Sequence, residues 1–289
     1  MTTAAGAPAG FGARLSEAMA EHGRLCVGID PHPGMLPAWG LPDDAAGLKE
    51  FGRRVIAAAA GRVAAVKPQI AFFERYGSAG MEALAEIQAQ ARQAGLLVIA
   101  DAKRGDIGST MAAYAEAWLN PESEFAADAL TVTPFLGFGS LSPAVEAAQA
   151  YGAGLFVLAL TSNPEGHEVQ LARAAGATVA GEIVAAAAAS NRGVSAGGAL
   201  GDIGIVVGAT TAGLAAQQGI DLTAGRMPIL APGYGAQGAT AAELGESFGA
   251  AYRDQVLVNA SRSILSAGPE VEGLAAAIEQ ARAELGLFR

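Results

Sequence analysis

Eight short apolar runs, each followed by a polar or glycine-containing turn and then a stretch of helical composition, constrain the fold of this chain more than any other feature. They occupy positions 25–29, 63–66, 96–100, 129–132, 155–160, 203–207, 227–231 and 256–258. The runs are rich in Val, Ile and Leu and do not alternate with polar residues, which is the pattern of parallel strands buried on both faces. The segments between them, such as 80–94 and 241–253, are rich in Ala, Glu, Gln, Arg and Leu and favour helix. Strand and helix alternate eight times, which predicts an α/β fold of the (β/α)8 barrel type, and the 289 residues suit a barrel of about 250 residues carrying insertions. A doubly wound open sheet is the competing arrangement. The barrel is favoured because polar residues gather just after the runs: Asp30, Lys67, Asp101 and Lys103, Thr131 and Thr133, Thr161 and Ser162, Thr210 and Thr211, Tyr234 and Gln237, Ser261 and Arg262. In a closed barrel all those positions share the rim where active sites form.

No Pro/Ser-rich linker or shift in composition divides the chain, so one domain over 1–289 is expected, with a flexible tail over 1–12 and a flexible glycine-rich loop over 190–202. At 52% hydrophobic and 16% charged residues, the chain has ample material for a large core. Its formal net charge of -10, with no block of Lys or Arg, argues against nucleic acid or an anionic membrane as partner. Cys26 is the only cysteine, so there is no internal disulfide and no thiolate metal cluster. No basic-then-apolar leader opens the sequence and no run reaches membrane-spanning length. A soluble cytoplasmic protein is expected.

The chemistry concentrates in Asp101-Ala102-Lys103-Arg104-Gly105-Asp106-Ile107-Gly108-Ser109-Thr110, directly after the third run. Alternate residues of a strand share a face, so Asp101 and Lys103 should point the same way, with Asp106 following on the loop. A bare D-x-K is usually a surface ion pair. Here the charges end an uninterrupted hydrophobic strand, which favours catalytic apparatus. Lys67 ends the second run and must find a carboxylate or lose its charge. Asp30 ends the first and is a candidate for substrate hydroxyls, although capping the turn at Pro31 is an equal alternative. After the seventh run, Gly233-Tyr234-Gly235-Ala236-Gln237-Gly238 matches G-x-G-x-x-G. A dinucleotide fingerprint belongs in the first βα unit, and only one strand follows here, so a phosphate-binding loop is the better reading. Asn259-Ala260-Ser261-Arg262 after the eighth run adds a guanidinium for that phosphate. Thr161-Ser162-Asn163-Pro164 offers hydroxyl and amide groups, or an ordinary turn. The three histidines, His22, His32 and His167, lack metal-ligand spacing, so no metal is expected. The aromatics Phe72, Phe73, Phe135 and Phe138 are read as packing.

The pattern Asp101-x-Lys103-x-x-Asp106-Ile107-x-x-Thr110 resembles the signature of the orotidine 5′-phosphate decarboxylases, which make UMP in pyrimidine biosynthesis. The resemblance covers nearly the whole barrel in the family's order: the Asp after strand one, the Lys after strand two, a Ser before Asn-Pro after strand five, the Gly-x-Gly-Ala-Gln-Gly loop, and the Arg after strand eight. The long segments 31–44 and 190–202 resemble the longer bacterial subtype. The resemblance implies Lys103 as the general acid that protonates C6 of the pyrimidine, Asp101 near the departing carboxylate, and Lys67 bridging the ribose and the charged array. It further implies Asp30 on the ribose hydroxyls, Ser162 on the pyrimidine with Asn163 beside it, and Gln237 and Arg262 on the phosphate, flanked by Gly235 and Ser261. Asp106 and Thr110 would reach into a neighbouring subunit's site, which implies a homodimer. No cofactor is implied. Alternatives are the related 3-keto-gulonate 6-phosphate decarboxylases, which share D-x-K-x-x-D and need magnesium, a Schiff-base aldolase, disfavoured by the carboxylates around Lys103, and a non-catalytic nucleotide sensor.

Overall fold

The computed structural model describes residues 9–174, 176–193, 198–235 and 238–286. Eight parallel strands close into a barrel: β1 (Leu25–Ile29), β2 (Ala65–Pro68), β3 (Leu97–Arg104), β4 (Ala129–Val132), β5 (Gly154–Leu160), β6 (Ile203–Val207), β7 (Ile229–Pro232) and β8 (Val256–Ala260). Each strand pairs with its neighbours in chain order, and β8 closes on β1 with Leu25 opposite Val258. One major helix follows each strand: α2 (Ala45–Ala59), α3 (Gly77–Gln93), α4 (Gly108–Leu119), α5 (Ser142–Tyr151), α6 (Val179–Ser190), α7 (Ala212–Gln217), α8 (Ala241–Phe248) and α9 (Val271–Leu285), after an initial α1 (Phe11–His22). Local chemistry fixes several starts. Asp44 accepts the Gly47 N–H at 3.0 Å, Thr178 accepts that of Gly181, and Thr240 and Glu243 form a capping box.

The expected strands and observed ones agree closely, with physical reasons for the shifts. β2 runs on to Pro68, and pairing continues one residue further, where the Gln69 N–H is donated to the Ile29 carbonyl at 3.2 Å and Gln69 bridges to Asp101 of β3. The expected helix over 241–253 splits at Gly249, which has φ of 53° and opens a 3-10 turn over Gly249–Arg253. A small antiparallel hairpin, Arg173–Ala174 with Ala177–Thr178, lies between β5 and α6 and has no counterpart in the sequence reading.

Strand residues divide between two cores. Leu25, Val27 and Ile29 pack outward under the helices, while Cys26, Ala65, Leu97, Ala129, Phe156, Val206, Leu230 and Leu257, one from each strand, fill the barrel. Phe11, Leu15 and Met19 of α1, at helical spacing, join that interior cluster and are fully buried. Phe11 meets Phe156 edge-to-face at 5.8 Å, and burying such a ring contributes about 2–3 kcal/mol. The tail expected over 1–12 is therefore corrected at its inner end. Phe11 and Gly12 belong to α1, with the Gly12 N–H donated to Asp202 at 2.8 Å, and 1–8 lie outside the described residues. The 190–202 loop is tied at both ends. Asn191 exchanges two hydrogen bonds with the Ile203 backbone and the Leu200 N–H donates to Ser16; 194–197 lie outside the described residues. Among the described residues no helix is long and apolar enough to cross a membrane.

Candidate active site

With α1 packed against the N-terminal end of the barrel interior, the strand C-termini surround a cavity of about 940 Å³. Its centre is the Asp101 carboxylate. Lys67 on β2 donates to Oδ2 at 2.8 Å and Lys103 donates to Oδ1 at 2.6 Å. The Thr131 hydroxyl of β4 donates to Oδ1 at 3.0 Å, and the Gln69 amide, turned so that its nitrogen faces the acid, donates to Oδ2 at 2.6 Å. Exposure separates the two lysines: the Lys67 side chain is 5% exposed and that of Lys103 45%. Lys67 is thus enclosed beneath the carboxylate, and Lys103 is presented to the cavity. Burial works to raise the Asp101 pKa, but Lys67 and Lys103 outweigh it and hold it down at about 2. Burial likewise opposes the Lys67 charge, and the carboxylates of Asp101 and Asp30 overcome that, so its pKa is raised.

Lys103 reaches this position through irregular backbone. Strand alternation predicts that it shares a face with Asp101, yet β3 and β4 slip register between Ala100 and Arg104, so 101–103 stand opposite Thr131 alone. Within this bulge Lys103 has φ of 49°, a left-handed conformation that costs a side-chain-bearing residue about 1–2 kcal/mol. Asp106 does not join the pair. Its carboxylate accepts the Ile107 N–H at 2.7 Å, and neither it nor Thr110, exposed on α4, lines the cavity. Of the two carboxylates that flank Lys103 in sequence, only Asp101 therefore meets it within this chain.

Around the clamp, Asp30 is buried beneath the rim and its Oδ1 has no hydrogen-bond partner among the described residues. Asn259 of β8 also leaves Oδ1 unpartnered while its amide nitrogen sits 3.4 Å from Ser261 Oγ. Gly28 lets β1 approach that corner, since a Cβ there would stand 1.9 Å from Ser261 Oγ. Arg262, exposed at the start of the one-turn helix Arg262–Leu265, lines the cavity and makes no ion pair among the described residues. Ser162 and Asn163 line the β5 side; Asn163 is committed to its own turn, accepting from Thr161 at 2.7 Å and donating to Glu165. Gly235, with φ of 70°, turns the β7 loop, but its N–H is donated to the Ala239 carbonyl at 3.1 Å. It is therefore not a free anion donor here, and Gln237 lies outside the described residues. Lys67, Lys103 and Arg262 oppose Asp30 and Asp101 on the cavity wall, so an anion can be held locally despite the acidic chain.

Residues 23–277 match the family model described as "Orotidine 5'-phosphate decarboxylase / HUMPS family". The chain belongs to this family. It is 54% identical over 277 residues to the orotidine 5′-phosphate decarboxylase of Streptomyces coelicolor, covering 95% of this chain and 96% of that one. Its fold matches a crystal structure from Streptomyces avermitilis, solved as a candidate orotidine 5′-phosphate decarboxylase, with a TM-score of 0.91, 52% identity, and 99% and 98% of the two chains covered. The OMP decarboxylase of Leishmania donovani matches with a TM-score of 0.73 at 30% identity, over 96% of this chain and 99% of that one.

Several cavity residues of this orotidine 5′-phosphate decarboxylase family member carry roles that the sequence alone does not display. Thr131 and Gln69 hold Asp101; Thr131 was visible only as one polar residue after a strand. Phe72, packed against His32 at 4.4 Å between ring centroids, and Phe135 line the cavity, whereas Phe73 and Phe138 pack in the core as expected. The clamp also has a pH signature. Because the Asp101 pKa lies at about 2 when folded, against an ordinary 3.8, its stabilisation is present above the ordinary value and is lost as pH falls through the folded one. Unfolding free energies from urea curves, measured downward from about pH 5, should fall by up to about 2 kcal/mol from this group, more steeply in the native chain than in Asp101→Asn. Equal slopes would show that the carboxylate does not report the clamp.

Proposed function

We propose that this chain decarboxylates orotidine 5′-phosphate to UMP and carbon dioxide without metal or organic cofactor. The observation that carries the reading is the Asp101 clamp, with Lys67 enclosed below and Lys103 presented to the cavity. Breaking the bond from C6 to its carboxylate leaves the electron pair on an sp² carbon that no ring carbonyl can delocalise. A fixed ammonium beside C6 stabilises that charge, and transfer of an Nζ proton completes C6–H. Asp101 holds the ammonium and lies near the departing carboxylate. Asp30 is left with an unpartnered oxygen for the ribose hydroxyls, Lys67 links the ribose to the clamp, Ser162 with Asn163 faces the pyrimidine, and Arg262 beside Ser261 takes the phosphate, where the family resemblance also assigns Gln237 and Gly235.

The donor set also favours metal-free chemistry over the magnesium-dependent relatives. Both Asp101 oxygens are engaged by ammonium groups, so this carboxylate is already charge-compensated without a cation. Loss of orotidine 5′-phosphate absorbance in EDTA tests the proposal. Rapid loss supports it, and none with folded protein sends the assignment to the magnesium-dependent sugar phosphate enzymes or to a binder.

Arg262→Ala should lower kcat/KM about 10- to 100-fold, with kcat falling as well as KM rising, because remote phosphate binding energy assembles the site. A change in KM alone would contradict that use of the phosphate. The homodimer is part of the same reading: Asp106 and Thr110, turned away from their own cavity, would complete a second copy's site. Ile107 beside them is 62% exposed, and Phe135 and Leu136 on the adjacent loop are 78% and 55% exposed, which supports an apolar contact there. Mixing inactive Lys103→Ala with inactive Asp106→Ala should then regenerate activity through hybrid sites; no recovery in mixed dimers would exclude sharing. We assign the enzyme to the cytoplasm, which its single buried thiol supports.

A further inference from the structure

We propose that Thr131 is a positioning residue, whose hydroxyl replaces the ladder bond lost at the β3 bulge and thereby holds Lys103 on Asp101. The inference rests on the decarboxylase reading for its kinetic arm only. Three residues of β3 face Thr131 alone, so no β4 carbonyl stands in register to receive the Lys103 N–H. Thr131 Oγ1 accepts it at 2.9 Å. The same oxygen has one proton to give, and of its two acceptors Asp101 Oδ1 is nearer and charged, at 3.0 Å, against 3.5 Å to the Ala100 carbonyl. One hydroxyl thus ties the backbone of the lysine to the side chain of its partner acid.

Only a group that both accepts and donates can do this, and Thr131 is 1% exposed, so water does not compete. Its β-branched side chain is stiff at χ1, which fixes the direction of the hydroxyl relative to β4. The held element is a non-glycine residue at φ of 49°, a conformation that persists only when its surroundings impose it. Without the hydroxyl, the Lys103 N–H is left unpaired and the bulge is free to relax. The ammonium then leaves its place above the cavity, although neither the phosphate side nor the ribose side of the site has changed.

Thr131→Val keeps the shape and removes the hydroxyl, and Thr131→Ser keeps the hydroxyl. The valine variant should lower kcat by about 10-fold or more while UMP affinity stays within about 2-fold, and serine should restore kcat to within about 3-fold of the native chain. Crystal structures of the unliganded variants provide a readout that needs no turnover: valine should shift Lys103 Nζ off Asp101, and serine should not. Should valine fail to fold, Thr131→Ala replaces it in both arms. Native kcat in the hydroxyl-free variant, parallel losses of kcat and UMP affinity, failure of serine to rescue, or an unmoved Lys103 would each overturn the proposal. An inactive native chain would instead overturn the decarboxylase reading, leaving the crystallographic arm to decide this one.

Discussion

Replacing Lys103 with alanine should reduce decarboxylation on the order of 10⁴-fold, since in the proposed mechanism one side chain supplies both the cation beside C6 and the proton delivered to it. Stability should change little. Lys103 is the exposed partner of Asp101, and the acid keeps Lys67 at 2.8 Å and its two neutral donors after the substitution. Loss of an ion pair half open to water costs at most about 1 kcal/mol. Affinity for UMP should also persist, because Asp30, Ser162 and Arg262 stand on other strands' ends. Stopped absorbance assays, calorimetry with UMP and urea unfolding measure the three quantities separately. Turnover within tenfold of the native chain would remove Lys103 from the chemistry.

Asp101→Ala should fail differently, losing both activity and stability. It strands Lys67, whose side chain is 5% exposed, with Asp30 as its remaining acid, and an uncompensated buried charge costs about 3–5 kcal/mol. Removing that charge as well, in Asp101→Ala with Lys67→Met, should restore much of the stability while leaving the enzyme inactive. The pair of urea curves is decisive: a double variant less stable than the single one would mean that the clamp is not held by charge compensation.

The barrel was legible because buried parallel strands must be continuously apolar, and the rim chemistry because charges directly after such runs have few other reasons to be there. Asp30, Lys67, Asp101, Lys103, Ser162, Asn163, Ser261 and Arg262 do meet at one cavity. What escaped the sequence depends on register between segments far apart in the chain. The bulge opposite Thr131 follows from how β3 pairs with β4, and the pairing of Gln69 with Asp101 from how β2 pairs with β3. Asp106 shows the converse. Three residues from Lys103 in sequence, it is carried away by a turn that its own carboxylate stabilises. α1 was missed because Phe11 and Gly12 follow a small, polar opening and resemble its continuation until Phe11, Leu15 and Met19 are seen on one face.

That helix has a consequence for traffic. The strand side chains that fill the barrel, covered from the far side by Phe11, Leu15 and Met19, give the cavity a solid floor and make it a well with one mouth. Nucleotide entry, nucleotide departure and the escape of carbon dioxide must all use that mouth. In the proposed reaction, carbon dioxide and nucleotide would therefore share one exit, a constraint imposed by the packing of α1 at the far end of the barrel.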